Sequence, residues 1–368
     1  NEKSLGGCAM VVDRTVRGLA LVAALLAPPS AARAETFSFV ALGDTAYNPS
    51  VDYPVYEALI ARINKAKPAF SIHVGDTWGA LPCTEEQHRS ILGWFAKYDH
   101  PVVYTPGDNE WADCRRPDVL EAYSRYVTKK ATPADLALLM PLQGLDAGMA
   151  NAGYDDPIAS LGLIRKVFFA KPQSVGGKTM PLVRQPDVST FKDTAENTRW
   201  EKGGVLFATI SVPGSKNGFL ITSEARAAEA IARNRANVDW IKSTFAEAKA
   251  RDAKAVVISL QAAMFDDRDG GEFSGKAVRG GREGPYYWTV LAIRDLGGRF
   301  GKPVLVINGD DHDFIVDRPF MVSQGEMKPA LYANITRLQV YGAPELRAVK
   351  VGVDTDTPWV FSFAPLYN

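Results

Sequence analysis

Carboxylates recur along this chain in one local setting. Gly43-Asp44, Gly75-Asp76, Gly107-Asp108-Asn109-Glu110 and Gly309-Asp310-Asp311-His312 each follow a short apolar run, and Gln261 follows another. Carboxylate and amide oxygens with one imidazole suit a hard or borderline divalent cation. A cation held in such a set activates water and stabilises charge on a reacting oxygen. A single Gly-Asp after an apolar run is an ordinary turn. Four in order, with an amide after a fifth run, describe a site assembled from separated segments. Plainer readings also stand for these residues. Asp44 and Asp76 suit helix N-caps, Asp108 a brace for the loop around Trp111, Gln261 a strand-end amide, and Asp310 a support for His312.

The segments before these loops must be the elements that position them. Residues 37–42, 69–74 and 101–105 read as buried strands, and 53–67 and 85–98 as amphipathic helices between them. The unit of strand, polar loop and helix predicts a parallel α/β sheet. Ligands in open α/β sheets bind at the carboxyl ends of the strands, where the Gly-Asp loops fall. Further on, 205–212, 255–260 and 303–307 read as strands, 224–251 and 289–300 as helices, and the chain from Phe314 as β-rich. Residues 117–200, broken by Pro, Gly and Asp, read as a helical and loop-rich insertion or lid over one rim. Residues 266–285 read as a surface loop. His73 lies mid-strand and reads as core, or as a support behind the site, whereas His88 and His100 read as surface. Asn197, Arg199 and Trp200, and then Gly214-Ser215-Lys216-Asn217, are polar clusters near strand edges. They suit either loop structure or contacts to a substrate phosphate.

In order, strand context and spacing these blocks resemble the calcineurin-like metallophosphoesterase superfamily, which includes purple acid phosphatases. Its pattern runs D-x-H, G-D-x-x, G-N-H-[DE], a lone H and G-H-x-H. The counterparts here are Gly43-Asp44-Thr45-Ala46, Gly75-Asp76-Thr77-Trp78, Gly107-Asp108-Asn109-Glu110, Gln261 and Gly309-Asp310-Asp311-His312. The resemblance implies a four-layer α/β/β/α sandwich with two mixed sheets and a helical insertion. It implies a two-metal site whose hydroxide attacks a phosphate mono- or diester. Asp44 would ligate the first metal and Asp76 both. Asp108, Gln261 and Asp310 would ligate the second, and His312 the first. Asn109 takes the place of the histidine that assists the leaving group and counts also among the ligand candidates. Asp76 and Asn109 are thus the expected catalytic residues. Of five motif histidines only His312 is kept, and Ala46 offers no ligand. Tyr47, one residue on, offers a phenol near the first metal. Fewer nitrogen ligands shift the preference from iron or zinc toward magnesium, manganese or calcium. The alternative is a catalytically weak or inactive ligand- or metal-binding protein on the same fold.

Composition bounds these readings. The 368 residues carry 42 Lys and Arg against 42 Asp and Glu, so there is no basic field for nucleic acid. Three cysteines and four histidines exclude a multi-cysteine zinc domain. Met10, Arg14 and Arg17, an apolar run at 19–26 and Ala32-Arg33-Ala34 form the pattern of a secretory signal over about residues 10–34. The expectation is therefore a leader over 1–34, with an upstream remnant before Met10, and one domain over 35–368, periplasmic or secreted and without a membrane span. Its partner is a small phosphoester, and its oligomeric state is open. In an oxidising compartment Cys83 and Cys114 are expected to pair.

Overall fold

The computed structural model describes residues 36–79, 82–114, 122, 125–126, 128–139, 156–219, 223–265, 284–320 and 332–367. Residues 1–34, where a leader is expected, and most of the expected 266–285 loop lie outside these. Among the described residues, twelve strands form two mixed sheets. The first orders β12 (Val360–Leu366), β11 (Ala348–Asp354), β1 (Phe37–Leu42), β2 (Ser71–His73) and β3 (Val102–Tyr104). The second orders β4 (Val183–Arg184), β5 (Thr198–Lys202), β6 (Val205–Thr209), β7 (Ala255–Ser259), β8 (Val304–Asn308), β10 (Ile335–Gln339) and β9 (Ile315–Asp317). β1, β2 and β3 are parallel, as are β6, β7, β8 and β10. The outer strands pair antiparallel.

Alternation along the strands explains the layering. Phe39 and Ala41 of β1 face a core shared with Phe207, Val257, Leu305 and Ile307 of the second sheet. Val40 and Leu42 face the other way, against Leu59 and Ile63 of helix Pro49–Ala66 and Phe95 of helix Glu85–Phe95. On the far side, Leu206, Val256 and Val306 meet Trp240 of helix Glu224–Ala250 and Ile293 of helix Tyr287–Phe300. The order is helices, sheet, sheet, helices: an α/β/β/α sandwich. Strands buried on both faces must be apolar throughout, which is why they read from sequence as unbroken runs. Each fully buried Phe or Leu there contributes roughly 1.5–3 kcal/mol.

Several boundaries differ from the sequence reading. The first helix begins at Pro49, before Tyr53, and the second ends at Phe95, before Tyr98. Within 117–200, Pro157–Phe168 is a helix as expected, but Val183–Arg184 and Thr198–Lys202 are outer strands of the larger sheet. His88 and His100 are not on the surface: they are 0 % and 6 % exposed. Asn197 and Arg199 are also buried, in structural roles. Asn197 bonds Gln185 and Asn237, and Arg199 stacks over Trp240 and pairs with Glu247.

Cys83 and Cys114 are bonded, with Cα atoms 5.4 Å apart and a sequence separation of 31. The bridge ties the loop after β2 to the loop after β3. The chain-entropy account of such a closure gives about 3–4 kcal/mol. The Cys83→Ser/Cys114→Ser protein is expected to lose that much in urea unfolding. Alkylation of both thiols in unreduced protein, read by intact mass, would refute the bridge.

Candidate functional site

The loops after β1, β2, β3, β7 and β8 meet at one edge of the two sheets. Asp44, Asp76, Asp310 and His312 all have positive φ, at 51°, 53°, 79° and 64°. Asp and His tolerate this left-handed region better than most side chains. Strained backbone of this kind persists only where its surroundings hold it. Here the holding groups are visible. Asp44 N–H donates to Gly75 O and Thr45 N–H to Asp76 O, while Asp44 O accepts from Ala343 N–H. Neither aspartate is a helix cap: Asn48 and Thr84 precede the following helices.

The side chains close on one another. Asp44 Oδ1 accepts from the Asp310 N–H (3.0 Å) and lies 3.7 Å from His312 Nε2. Tyr47 Oη donates to Asp76 Oδ2 (2.8 Å) and sits 3.1 Å from His312 Nε2. The other His312 nitrogen, Nδ1, meets Ala343 O at 2.6 Å, so it carries the proton and leaves Nε2 as the free lone pair. Asn109 donates to Asp76 twice, from its backbone and from Nδ2. Gln261 Nε2 donates to Asp108 Oδ1 and to Asp310 Oδ1, each at 3.1 Å. All seven sequence candidates therefore belong to one cluster. Two glycines make the close approach possible: a Cβ on Gly107 would lie 2.0 Å from Asp76 Oδ1, and one on Gly309 2.1 Å from Asp44 Oδ2. Ala46 is buried and brings no donor.

The electrostatics are those of a site short of positive charge. Burial raises the Asp44 and Asp76 carboxyls well above the usual range. Neighbouring carboxylates push the same way, foremost Asp310 on Asp44 and Asp108 on Asp76. Burial also raises Asp108. Burial and Asp76 hold the Tyr47 phenol in its protonated form. No lysine or arginine among the described residues pairs with Asp44, Asp76, Asp108 or Glu110. Asp44 is 0 % exposed, and its Oδ2 has no hydrogen-bond partner.

Two supports were not predicted as such. Glu110 is fully buried and accepts from Asp76 N (3.1 Å), Thr77 N (2.5 Å), Thr77 Oγ1 (2.8 Å) and Gly107 N (2.8 Å). One carboxylate thus fixes both the β2 and β3 loops. Glu110→Gln turns an NH2 toward those donors, and the expected loss is about 3 kcal/mol in chemical unfolding. An unchanged midpoint would contradict the assignment. The second is the turn Gly214–Asn217, where Ser215, Lys216 and Asn217 are all left-handed. Arg233 holds it by donating to Ser211 O and Asn217 O, with Trp111 beneath the guanidinium. Only the Asn and Gly of that turn hinted at such a backbone in sequence.

Among the described residues, no three His, Cys, Asp or Glu side chains already surround a common point at metal-holding distance. Several of their polar atoms are bonded within the cluster instead, Asp44 Oδ2 excepted. No family model matches the chain, and no curated protein matches it. Among solved structures the chain is similar to one titled "GAP50 the anchor in the inner membrane complex of Plasmodium". Identity is 12%, coverage 90% of this chain and 89% of that one, and the TM-score 0.41. It is similar also to the 5'-nucleotidase from Candida albicans, at 12% identity over 90% of this chain and 52% of that one, with a TM-score of 0.40. The chain thus spans about half the length of the nucleotidase. At this identity and TM-score, function is argued from the residues of the site alone.

Proposed function

We propose that the chain is a secreted, metal-dependent phosphoesterase acting on a small phosphate mono- or diester. The observation that carries this reading is the unpartnered, fully buried Oδ2 of Asp44, beside Asp76 and Asp108, with which no lysine or arginine among the described residues pairs. An anion so placed is costly unless a cation compensates it. The donor set fits a hard divalent cation such as manganese, magnesium or calcium. Zinc and iron, which favour more nitrogen, fit less well. Donors around such an ion at about 2.1 Å stand about 3 Å from their neighbours. Tyr47 Oη has that spacing to Asp76 Oδ2 and to His312 Nε2.

Asp44, Asp76, Tyr47 and His312 would hold the ion. The bound ion would supply Lewis-acid polarisation of a phosphoryl oxygen and acidify a water. This chain's own residues do the rest. His312 keeps Nε2 unprotonated toward the site because its single N–H, at Nδ1, donates to Ala343 O. Asn109, half-buried at the rim, carries an Nδ2 donor that can turn from Asp76 to a substrate oxygen. Asn109 cannot give up a proton as an imidazolium does, so a good leaving group is favoured. The disulfide is compatible with export, and among the described residues no helix is long and apolar enough to cross a membrane.

The test uses the exported protein with its disulfide intact. Metal content is measured, and turnover is followed on p-nitrophenyl phosphate, its bis ester and nucleotides, before and after chelation. Turnover lost with the ion and restored by manganese supports the reading. Bound metal without turnover favours a ligand-binding protein on the same fold, which the capture of Asn109 by Asp76 would then explain.

A further inference from the structure

We infer that Gln261 takes the place of a second cation, so that the site binds one ion, at its Asp44–Asp76–Tyr47–His312 end. This rests on the metal-dependent reading above and sets its stoichiometry. Gln261 is fully buried after β7, and its Oε1 accepts from the Gly214 N–H. That bond decides the orientation of the amide. The flipped form would set NH2 against N–H at Gly214 and oxygen against two carboxylates. The Nε2 group is therefore the one between Asp108 and Asp310, with one hydrogen for each at 3.1 Å. Asp310 Oδ2 accepts in turn from the Ala263 N–H at 3.0 Å.

A side-chain amide coordinates a cation through oxygen, not through NH2. Here that oxygen is turned away and engaged. An ion between Asp108 and Asp310 would face the N–H bonds of Nε2 and displace the two hydrogen bonds already made there. Flipping the amide would also cost the Gly214 bond, in a turn that Arg233 clamps. The bridging NH2 does part of the work of a cation: it places positive hydrogens between two carboxylates that would otherwise repel. The other end is different. Asp44 Oδ2 is buried with no partner, and His312 Nε2 presents a lone pair.

Manganese is the probe, measured by elemental analysis and calorimetric titration on the full exported chain, with its paramagnetic resonance spectrum as a second readout. The wild-type protein is expected to bind about one ion and to give the spectrum of an isolated Mn2+. Gln261→Glu removes both donor hydrogens and adds a carboxylate, so its stoichiometry should roughly double, with a spin-coupled spectrum. Two ions in the wild-type protein overturn the inference and leave the phosphoesterase reading standing. One ion in both proteins, with circular dichroism unchanged, overturns the role of Gln261. No ion in either overturns the inference together with the metal-dependent reading.

Discussion

Asp76→Asn is expected to abolish cation binding and to lower any phosphoesterase turnover at least ~1000-fold, about 4 kcal/mol of transition-state stabilisation. Asp76 Oδ2 is the meeting point of the Tyr47 phenol and the Asn109 amide, and Oδ1 takes the Asn109 backbone N–H. An asparagine can keep one oxygen in this arrangement but must turn its NH2 toward another donor or toward the ion. It also removes the negative charge that offsets the cation. Asparagine suits the left-handed backbone at this position as well as aspartate does. The fold is therefore expected to survive. The metal-free variant should stay close to its parent in stability, because relief of the crowded carboxylates offsets the NH2 set against a donor. Metal content, turnover and melting temperature are measured together. Full occupancy with normal turnover would sink the assignment of Asp76.

What was legible in the sequence follows from what spacing encodes. β1, β7 and β8 are apolar on both faces, so the runs ending at Asp44, Gln261 and Asp310 marked strand ends without ambiguity. The cysteine pair followed from the expectation of an oxidising compartment. β4 and β5 were hidden because outer strands are short and mixed: Val183 is 42 % exposed, while Arg199 is buried by an ion pair. His88 was misread because a polar residue on an amphipathic helix is ordinarily outward. Here it lies between Trp78 and Phe168. The site divides in the same way. Which strand ends carry carboxylates is written in the order of residues. Whether those carboxylates converge on a cation or on an amide is not. Gln261 faces Asp108 and Asp310 with nitrogen only because the Gly214 N–H, on a left-handed turn far away in sequence, claims its oxygen.

Acid is expected to unfold this protein early, and His88→Leu to weaken that response measurably. Burial lowers the imidazoles of His73 to about 3 and of His88 and His100 to about 4. In the unfolded chain they take up protons near ~6.5. Between those values the unfolded state binds more protons, so the stability they contribute is complete above about 6.5 and is lost as pH falls toward 4. Each costs up to about 1.4 kcal/mol per pH unit, against a total stability of about 5–15 kcal/mol. The crowded carboxylates act with the opposite sign. Their raised native values make the metal-free fold more stable as they protonate, and that gain is lost as pH rises through those values. A bound cation keeps them ionised and removes the offset, so the loaded protein should show the steeper acid limb. A single substitution separates the two effects, because the carboxylates are common to both proteins. His88 has no hydrogen-bond partner on either nitrogen, so leucine removes an unsatisfied buried group and is expected to add about 1–2 kcal/mol at pH ~7.5. In urea unfolding from about pH 7.5 down to about pH 5, the difference between His88→Leu and its parent should widen by about 1.4 kcal/mol per unit below ~6.5. A difference that stays constant with pH would show that His88 titrates normally in the fold, and its place in the core would have to be given up.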